Sequence, residues 1–136
     1  MATVIDGSAG VTTNAGGAVN PSTNIDGINY SCRAWVNFNG TGTVAIRASG
    51  NVSSITDNGV GDYTVNFTTA MPDANYAMSF GSRVGSGVYG SLQVTFSQQP
   101  TATNSTPTTT SVRINSVVQG ATNGTDGDYI LLQFIR

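Results

Sequence analysis

The chain has no histidine, lysine or glutamate, so its few charges are carried by five arginines and seven aspartates. General acid–base catalysis at neutral pH usually draws on His, Glu, a tuned Lys or paired carboxylates, and of these only aspartate pairs remain. Without an imidazole, no Ser or Cys nucleophile has the usual base to activate it. These absences predict that the protein is not an enzyme.

Two aspartate pairs are the remaining candidates for chemistry. Asp57 and Asp62 flank one predicted turn, and Asp126 and Asp128 lie together in another. Such pairs could serve a two-carboxylate glycosidase or begin a Ca²⁺ site, but Ca²⁺ needs about six to eight oxygens and the spacing matches no EF-hand loop. Turn aspartates more often accept hydrogen bonds from nearby backbone N–H groups. We favour that role and predict no catalytic residue and no metal site.

The sequence also lacks what several classes of partner require. The glycine-rich segment 81–87 lies between predicted strands and offers a phosphate no helix N-terminus, so no cofactor is expected. A net charge of −2 without a basic cluster predicts no nucleic-acid binding. There is no apolar run of about 18 residues and no signal peptide, so we expect no membrane insertion and synthesis in a cytoplasm. Cys32 has no second cysteine to pair with and is expected to be a small buried hydrophobe.

What the sequence has in abundance is Thr, Ser, Asn and Gly, which suit strands and turns better than helices. After the N-terminal region the apolar side chains alternate, which predicts a half-buried strand with Arg33 and Trp35 on its outer face. A glycine-containing turn then leads into a second strand. Pairing Phe38 with Val44 would place Trp35 opposite Arg47 on the outer face.

About eight strands at short spacing, with turn residues between them, predict an all-β fold: an antiparallel, jelly-roll-like β-sandwich over residues 30–136. Val52 and Ile55 do not share a period-two face, so their strand should carry a bulge or lie at an edge. Residues 1–29 are too poor in large apolar side chains to form a core, and we expect an extended arm for attachment or oligomerisation. The alternative is that residues 2–5 add an edge strand to the main sheet.

The last predicted strand is apolar on both of its faces. Its core-facing residues alternate with a second apolar set, Tyr129, Leu131 and Ile135. Such a strand is central in its sheet, is covered by the arm or is covered by another subunit. We favour the subunit, because a chain of 13.9 kDa has little material for a third layer. These three residues are therefore predicted to form a subunit interface.

Several spaced motifs lie between Cys32 and Tyr76. They are CRAWVNFNGT from Cys32, VAIR from Val44, ITDNG from Ile55, GDYTV from Gly61, FTTAMP from Phe67 and the pair Asn75 and Tyr76. Together they make the segment similar to a module found near the C-termini of many tail fibre and virion proteins of tailed bacteriophages. The resemblance implies a virion component, usually homotrimeric, without enzymatic activity.

The resemblance sets the functional expectation. It implies a phage structural protein made in the host cytoplasm and built into the virion as a small fibre whose β tip contacts the host surface. The alternative is a head decoration, cement or adaptor protein. In both cases residues 1–29 would bind other virion proteins. The other expected partners are identical copies of the chain and a glycan or protein of the host surface.

One group of receptor candidates lies on the predicted strands and consists of Arg33, Trp35 and Arg47. An aromatic ring stacks on the apolar face of a sugar, and guanidinium groups bind hydroxyls or carboxylates. The alternative is a structural cation–π pair, within the chain or at a subunit interface. We favour the structural pair, because recognition more often lies on loops.

The second group of receptor candidates lies on two predicted loops. One is the glycine-rich reversal at 81–89, which contains Arg83 and Tyr89. The other covers 98–110 and begins with Gln98 in a run of hydroxyl and amide side chains. Long loops of this kind are uncommon unless they are used. These loops are therefore the preferred receptor-binding sites.

Overall fold

The computed structural model describes residues 4–6, 10–12, 31–85, 91–96 and 106–136, and every regular element in these ranges is a β-strand. In chain order the strands are β1 (Val4–Asp6), β2 (Gly10–Thr12), β3 (Cys32–Asn39), β4 (Ala45–Gly50), β5 (Val52–Gly59), β6 (Asp62–Phe67), β7 (Ala77–Arg83), β8 (Leu92–Phe96), β9 (Ser111–Val118) and β10 (Tyr129–Ile135). The predicted all-β class is confirmed.

Eight of these strands form two antiparallel sheets of four. The first sheet has the order β4-β3-β10-β7, and the second has the order β5-β6-β9-β8. The edges of the two sheets are connected on one side by the Ser82 hydroxyl, which donates to the Leu92 carbonyl at 2.7 Å. On the other side the Ser49 hydroxyl donates to the Val52 carbonyl at 3.2 Å. The two sheets face each other as the predicted β-sandwich.

Aromatic side chains from both sheets meet in the core. Phe38 of β3 contacts Tyr63 of β6 with ring centroids 5.2 Å apart, and Phe134 of β10 contacts Phe67 of β6 at the same separation. Both pairs are edge-to-face, the geometry that the ring quadrupoles favour. Phe38, Tyr63 and Phe134 are fully buried. The alternation of apolar residues along each strand thus supplies one shared core.

The predicted register of the first hairpin is wrong. Phe38 pairs with Ile46 and not with Val44, because the connection between the strands is longer than a tight turn. The register also shifts between Asn37 and Phe38, where a β-bulge leaves Arg47 without a direct partner on β3. A bulge moves every residue beyond it relative to the opposite strand.

A second bulge corrects the expectation for Cys32, which is exposed and not buried. On β10, Phe134 pairs with Ala34, but the next residue, Ile135, pairs with Cys32. The intervening Arg33 has no direct partner in this ladder. Because side chains alternate along a strand, one extra residue turns Cys32 from the core to the outer face of the sheet.

The bulge predicted near the start of β5 is confirmed, with a register shift between Val52 and Ser54 on an edge strand. Just before it, Asn51 has a φ of 56°, in the left-handed region that few non-glycine residues adopt. Its amide nitrogen donates to the carbonyls of Arg33 and Thr69, and its amide oxygen accepts from the Thr69 N–H at 2.7 Å. These bonds hold the corner where the chain passes from the first sheet to the second.

The chain divides into two compact units, Met1–Ser31 and Cys32–Arg136. In the first unit β1 pairs with β2 as a two-stranded antiparallel sheet, with Ile5 opposite Val11. In the described part of this unit, Val4–Asp6 therefore pairs with Gly10–Thr12, and neither strand belongs to the two four-stranded sheets.

Candidate functional site

The outward side chains of β4, β3, β10 and β7 form what we call the apolar outer face. Its large members are Trp35, Leu131 and Tyr129, which are 44%, 43% and 37% exposed. β10 is a central strand with β3 and β7 on either side, and its inner side chains are buried while its outer ones stay open. Several large apolar side chains on one open face of a small domain mark an interaction surface.

Trp35 owes its position to a glycine on the neighbouring strand. Its Cα pairs with that of Gly50 on β4. A Cβ added to Gly50 would lie 2.4 Å from Nε1 of the indole and 2.9 Å from Cδ1. The pyrrole edge of the ring therefore occupies the space above Gly50, and the indole extends along the sheet surface instead of standing away from it.

Next to Trp35 the apolar outer face is hollowed into a groove of about 740 Å³. Its lining combines larger side chains of the central strands β3 and β10 with small residues of the edge strands β4 and β7 on either side. Those that define it are Trp35, Asn37, Ala48, Ser79, Leu131 and Gln133. All the described residues that line the groove are uncharged. A groove with this lining suits a neutral ligand with an apolar surface.

Asn37 is part of the groove lining, and its side-chain oxygen lacks a hydrogen-bond donor among the described residues. Its Oδ1 is buried and accepts no hydrogen bond from any described residue. A buried acceptor without a donor costs free energy, and such atoms are rare in folded proteins. The groove thus combines an open aromatic ring with an unused hydrogen-bonding group.

The opposite end of the apolar outer face is organised around Tyr129. The Arg47 guanidinium lies 4.0 Å from the centroid of the Tyr129 ring, and that of Arg83 lies 4.5 Å from it. Arg83 is also paired with Asp128, to whose carboxylate its Nε donates at 3.1 Å. This contact lowers the pKa of Asp128 below its usual value. The predicted pairing of Trp35 with Arg47 is wrong, because the bulge directs Arg47 to Tyr129.

The outer face of the second sheet, which we call the polar outer face, is bonded within itself. Arg113 makes a two-pronged ion pair with Asp62, with Nε to Oδ1 at 2.7 Å and a terminal nitrogen to Oδ2 at 2.5 Å. The Asn66 amide donates to the hydroxyls of Ser54 and Thr56, each at 3.0 Å. Hydrogen bonds of this kind stabilise a sheet face without any partner molecule.

The four aspartates considered for catalysis have structural partners. Asp62 and Asp128 are held by arginines, and Asp57 accepts from the Gly59 N–H at 3.0 Å. Oδ1 of Asp126 accepts from the Tyr63 hydroxyl at 2.6 Å and from the Gly61 N–H at 2.7 Å. Among these four, Asp57 alone has the local turn role that we favoured from the sequence, whereas the other three bind groups that are distant in the chain.

Tyr63 connects the loop before β10 to the core. Its hydroxyl donates to Asp126 and also lies 3.1 Å from the Gly40 carbonyl oxygen. Burial raises the pKa of Tyr63 well above its usual value, and the hydrogen bond to Asp126 raises it further. A neutral tyrosine is therefore part of the folded state up to strongly alkaline pH.

The structure brings several of the predicted contact residues together. Trp35, Arg47 and Arg83 lie on the apolar outer face together with Tyr129 and Leu131, so the predicted receptor and subunit sites share one surface. The subunit interface stays a prediction, and Ile135, also predicted for it, is half-buried.

Arg33 is separated from this group by its bulge. Its Nε donates to the carbonyl of Arg136 at 3.2 Å, which is a structural contact at the chain end. Tyr89 and Gln98 lie outside the described residues. The loop predicted at 81–89 begins later than expected, because residues 81–83 are the end of β7 and pair with β10. The receptor role predicted for those loops therefore stays a prediction.

Sequence reasoning missed the residues that make the groove. Asn37 and Gln133 lie at outward positions of their strands, a pattern that was visible in the alternation. Ala48, Ser79 and Gly81 become neighbours only through the pairing of β4 with β3 and of β7 with β10. The pattern along a single strand cannot predict a groove that is formed by four strands.

The described part of the chain contains no group of three or more His, Cys, Asp or Glu residues that could hold a metal ion. Nor does any helix in that part have the length and hydrophobicity to cross a membrane. No protein-family model, curated protein or solved structure matches this chain.

Proposed function

We propose that this protein is a structural component of a tailed-bacteriophage virion, a small fibre-like homotrimer whose β-sandwich contacts the host surface. The observation that carries the proposal is the resemblance of residues 32–76 to phage fibre modules. That segment forms β3 to β6, two consecutive hairpins that contribute to both sheets. The resemblance therefore covers residues that build the sandwich.

The apolar outer face supports a contact role for the sandwich. Trp35 and Leu131 are more than two-fifths exposed on a face that ends in a groove without charge. The polar outer face on the other side is bonded within itself. A domain with one such open face is suited to lasting contact with another surface.

The homotrimer is assigned to residues 1–29, which leaves the apolar outer face free for the host. In support of this division, β1 and β2 belong to a unit separate from the sandwich. The competing arrangement is that identical copies cover the apolar outer face through Tyr129, Leu131 and Ile135. Sedimentation of outer-face variants separates the two arrangements.

A head decoration, cement or adaptor protein is the second candidate function. The observation that favours it is the separate N-terminal unit, because a small two-stranded sheet joined to one domain can fix that domain to a particle. In this case residues 1–29 would bind the capsid, and the sandwich would face outward without a specific receptor.

Electron microscopy of virions labelled with an antibody against this chain tests the proposed location. Label at the tail or its fibres supports the first function, and label spread over the head supports the second. Purified virions that carry no label would overturn both. A variant that lacks residues 1–29 should be absent from the particles, while a variant with Thr95→Ala on the polar outer face should be incorporated as wild type.

Analytical ultracentrifugation of the full chain tests the homotrimer. The expected mass is three times the 13.9 kDa of one chain. A single-chain mass over the micromolar range would contradict the homotrimer without deciding the location on the virion.

A further inference from the structure

The groove beside Trp35 has three properties that restrict what can fill it. It offers an aromatic ring that lies along the sheet, it has a buried acceptor on Asn37, and its described lining is uncharged. The occupant must therefore present an apolar surface and a hydrogen-bonding group to the same small area. Its volume of about 740 Å³ is within the range of about 300–1,000 Å³ that holds small ligands.

The cation–π pair with Arg47, which we first favoured as the role of Trp35, is not observed. Arg47, its expected cation–π partner, lies over Tyr129 instead. In the described part of the chain no guanidinium covers the indole of Trp35, which is 44% exposed. The aromatic surface next to the groove is thus open for an external partner.

From these properties we infer that the groove is a binding site for a neutral, hexose-containing glycan. The C–H face of a sugar ring packs on the indole of Trp35, as apolar sugar faces do on aromatic rings. A sugar hydroxyl reaches the amide of Asn37, and a second one reaches the exposed amide of Gln133. A hydroxyl both donates and accepts, so it can bond to an amide side chain in either direction. The inference rests on the proposed function, since it names the class of host-surface molecule that the sandwich contacts.

A second copy of the chain fits the same face less well. The face is four strands wide and β10 is seven residues long. At about 4.8 Å between strands and about 3.3 Å per residue, it spans only about 450 Å². A stable contact between proteins buries about 800 Å² on each partner. In addition, Arg47 and Arg83 already cover the ring of Tyr129, which leaves little apolar surface outside the groove.

Titration of the full-length oligomer with neutral oligosaccharides tests the inference. Trp35 is the only tryptophan in the chain, so intrinsic fluorescence reports directly on the groove. The probes are maltotetraose and the tetramer of N-acetylglucosamine, with an oligomer of sialic acid as the charged comparison. We expect a saturable change in tryptophan emission with at least one neutral probe and none with the acidic one. No saturable change with either neutral probe would overturn the inference, as would binding of the acidic probe alone.

Three variants show whether binding occurs in this groove. Trp35→Ala, followed by calorimetry, should weaken binding by at least about tenfold. Gly50→Ala keeps the tryptophan but displaces its ring, because the new Cβ would lie 2.4 Å from Nε1, and should weaken binding by about threefold or more. Asn37→Leu should weaken binding by about threefold to tenfold. Thr95→Ala on the polar outer face is the control and should bind as wild type.

Asn37→Leu also separates a binding role from a structural one. The substitution removes a buried acceptor without a donor, so the midpoint of urea unfolding should stay the same or rise while binding falls. A lower midpoint with unchanged binding would show a structural residue and contradict the inference. Wild-type binding by both Asn37→Leu and Gly50→Ala would place the glycan elsewhere and overturn it.

Different experimental results would contradict the glycan site and the proposed function. Labelled virions together with a chain that binds no glycan would overturn only the glycan site. A chain that binds neutral glycans through Trp35 but is absent from virions would overturn only the proposed function. A trimer that dissociates on Leu131→Asp, but not on Thr95→Asp, would show that a second copy fills the groove and would overturn the glycan site.

Discussion

The two outer faces of this sandwich have the same backbone geometry and opposite chemistry. On the polar outer face, hydroxyl and amide side chains bond to one another around the Arg113–Asp62 ion pair. On the apolar outer face, Trp35 and Leu131 stay open and the Oδ1 of Asn37 has no donor among the described residues. One face is bonded within itself, whereas the other leaves large apolar side chains exposed.

This difference separates residues that stabilise the fold from residues that are available for binding. Partners within the chain contribute to the free energy of folding, so their loss is measured by unfolding. An exposed apolar side chain contributes little to folding and gains free energy only when something covers it. Substitutions of the mutually bonded residues on the polar outer face should therefore change stability, and those on the apolar outer face should change binding.

The largest expected effect belongs to neither outer face but to the core that both sheets share. Phe134 is fully buried and contacts the rings of Phe67 and Tyr76 edge-to-face. Phe134→Ala should lower the free energy of unfolding by about 3–5 kcal/mol, because it leaves a cavity between the sheets. Urea unfolding followed by circular dichroism measures the change. The matched control, Thr95→Ala, should change it by less than about 0.5 kcal/mol.

The second prediction concerns alkaline pH and two tyrosines that belong to the shared core. Burial raises the pKa of Tyr76 to about 12, and burial with the hydrogen bond to Asp126 raises that of Tyr63 still further. An ordinary tyrosine has a pKa near 10, so above that pH the unfolded chain loses these protons first. The folded state then binds more protons, and its stability is present below pH 10 and lost as the pH rises.

Each tyrosine should contribute a slope of up to about 1.4 kcal/mol per pH unit between pH 10 and 12. Urea unfolding at a series of pH values measures the slope. Tyr76→Phe should remove about half of it, while also losing the hydrogen bond to the Thr108 carbonyl at 3.0 Å. An unchanged slope in this variant would show that Tyr76 ionises normally in the folded protein.

A third prediction tests the polar outer face directly. Asp62 is 6% exposed and accepts both prongs of the Arg113 guanidinium. Asp62→Asn should lower the free energy of unfolding by about 2 kcal/mol, because it removes the charge that Arg113 pairs with at a largely buried site. Glycan binding by Asp62→Asn should equal that of wild type. A free energy of unfolding within about 0.5 kcal/mol of that of wild type would mean that the Arg113–Asp62 ion pair does not stabilise this face.

The sequence predicted the features that depend on the alternation of residues within a single strand. Alternation along single strands is enough to place Trp35 outside and Phe38 inside, because the period of two is a property of each strand alone. The bulge in β5 was also predictable, since Val52 and Ile55 break that period within one segment. The both-sided apolar pattern of β10 likewise allowed a central strand, which is the position that β10 has in its sheet.

The pairing between strands could not be predicted from the sequence pattern of each strand alone. The bulges at Arg33 and Arg47 depend on which residue lies across the ladder, and each changes the face or partner of a neighbouring side chain. For this reason Cys32 was expected in the core, and Arg47 was expected over Trp35. The groove needs β7 beside β10, and its small residue Ser79 is far in sequence from Trp35 on β3. Only the strand order brings them together.

The smallest effect on stability is expected on the apolar outer face, at Leu131. The side chain is 43% exposed on the apolar outer face, so Leu131→Thr should change the free energy of unfolding by less than about 1 kcal/mol. Thr95→Leu is the reciprocal change on the polar outer face and should be equally mild. Urea unfolding at two protein concentrations tenfold apart measures both variants. Where copies bury a residue, stability depends on concentration and falls with the variant. If Leu131→Thr shifts that dependence and Thr95→Leu does not, identical copies cover the apolar outer face; if neither does, it is open to a ligand.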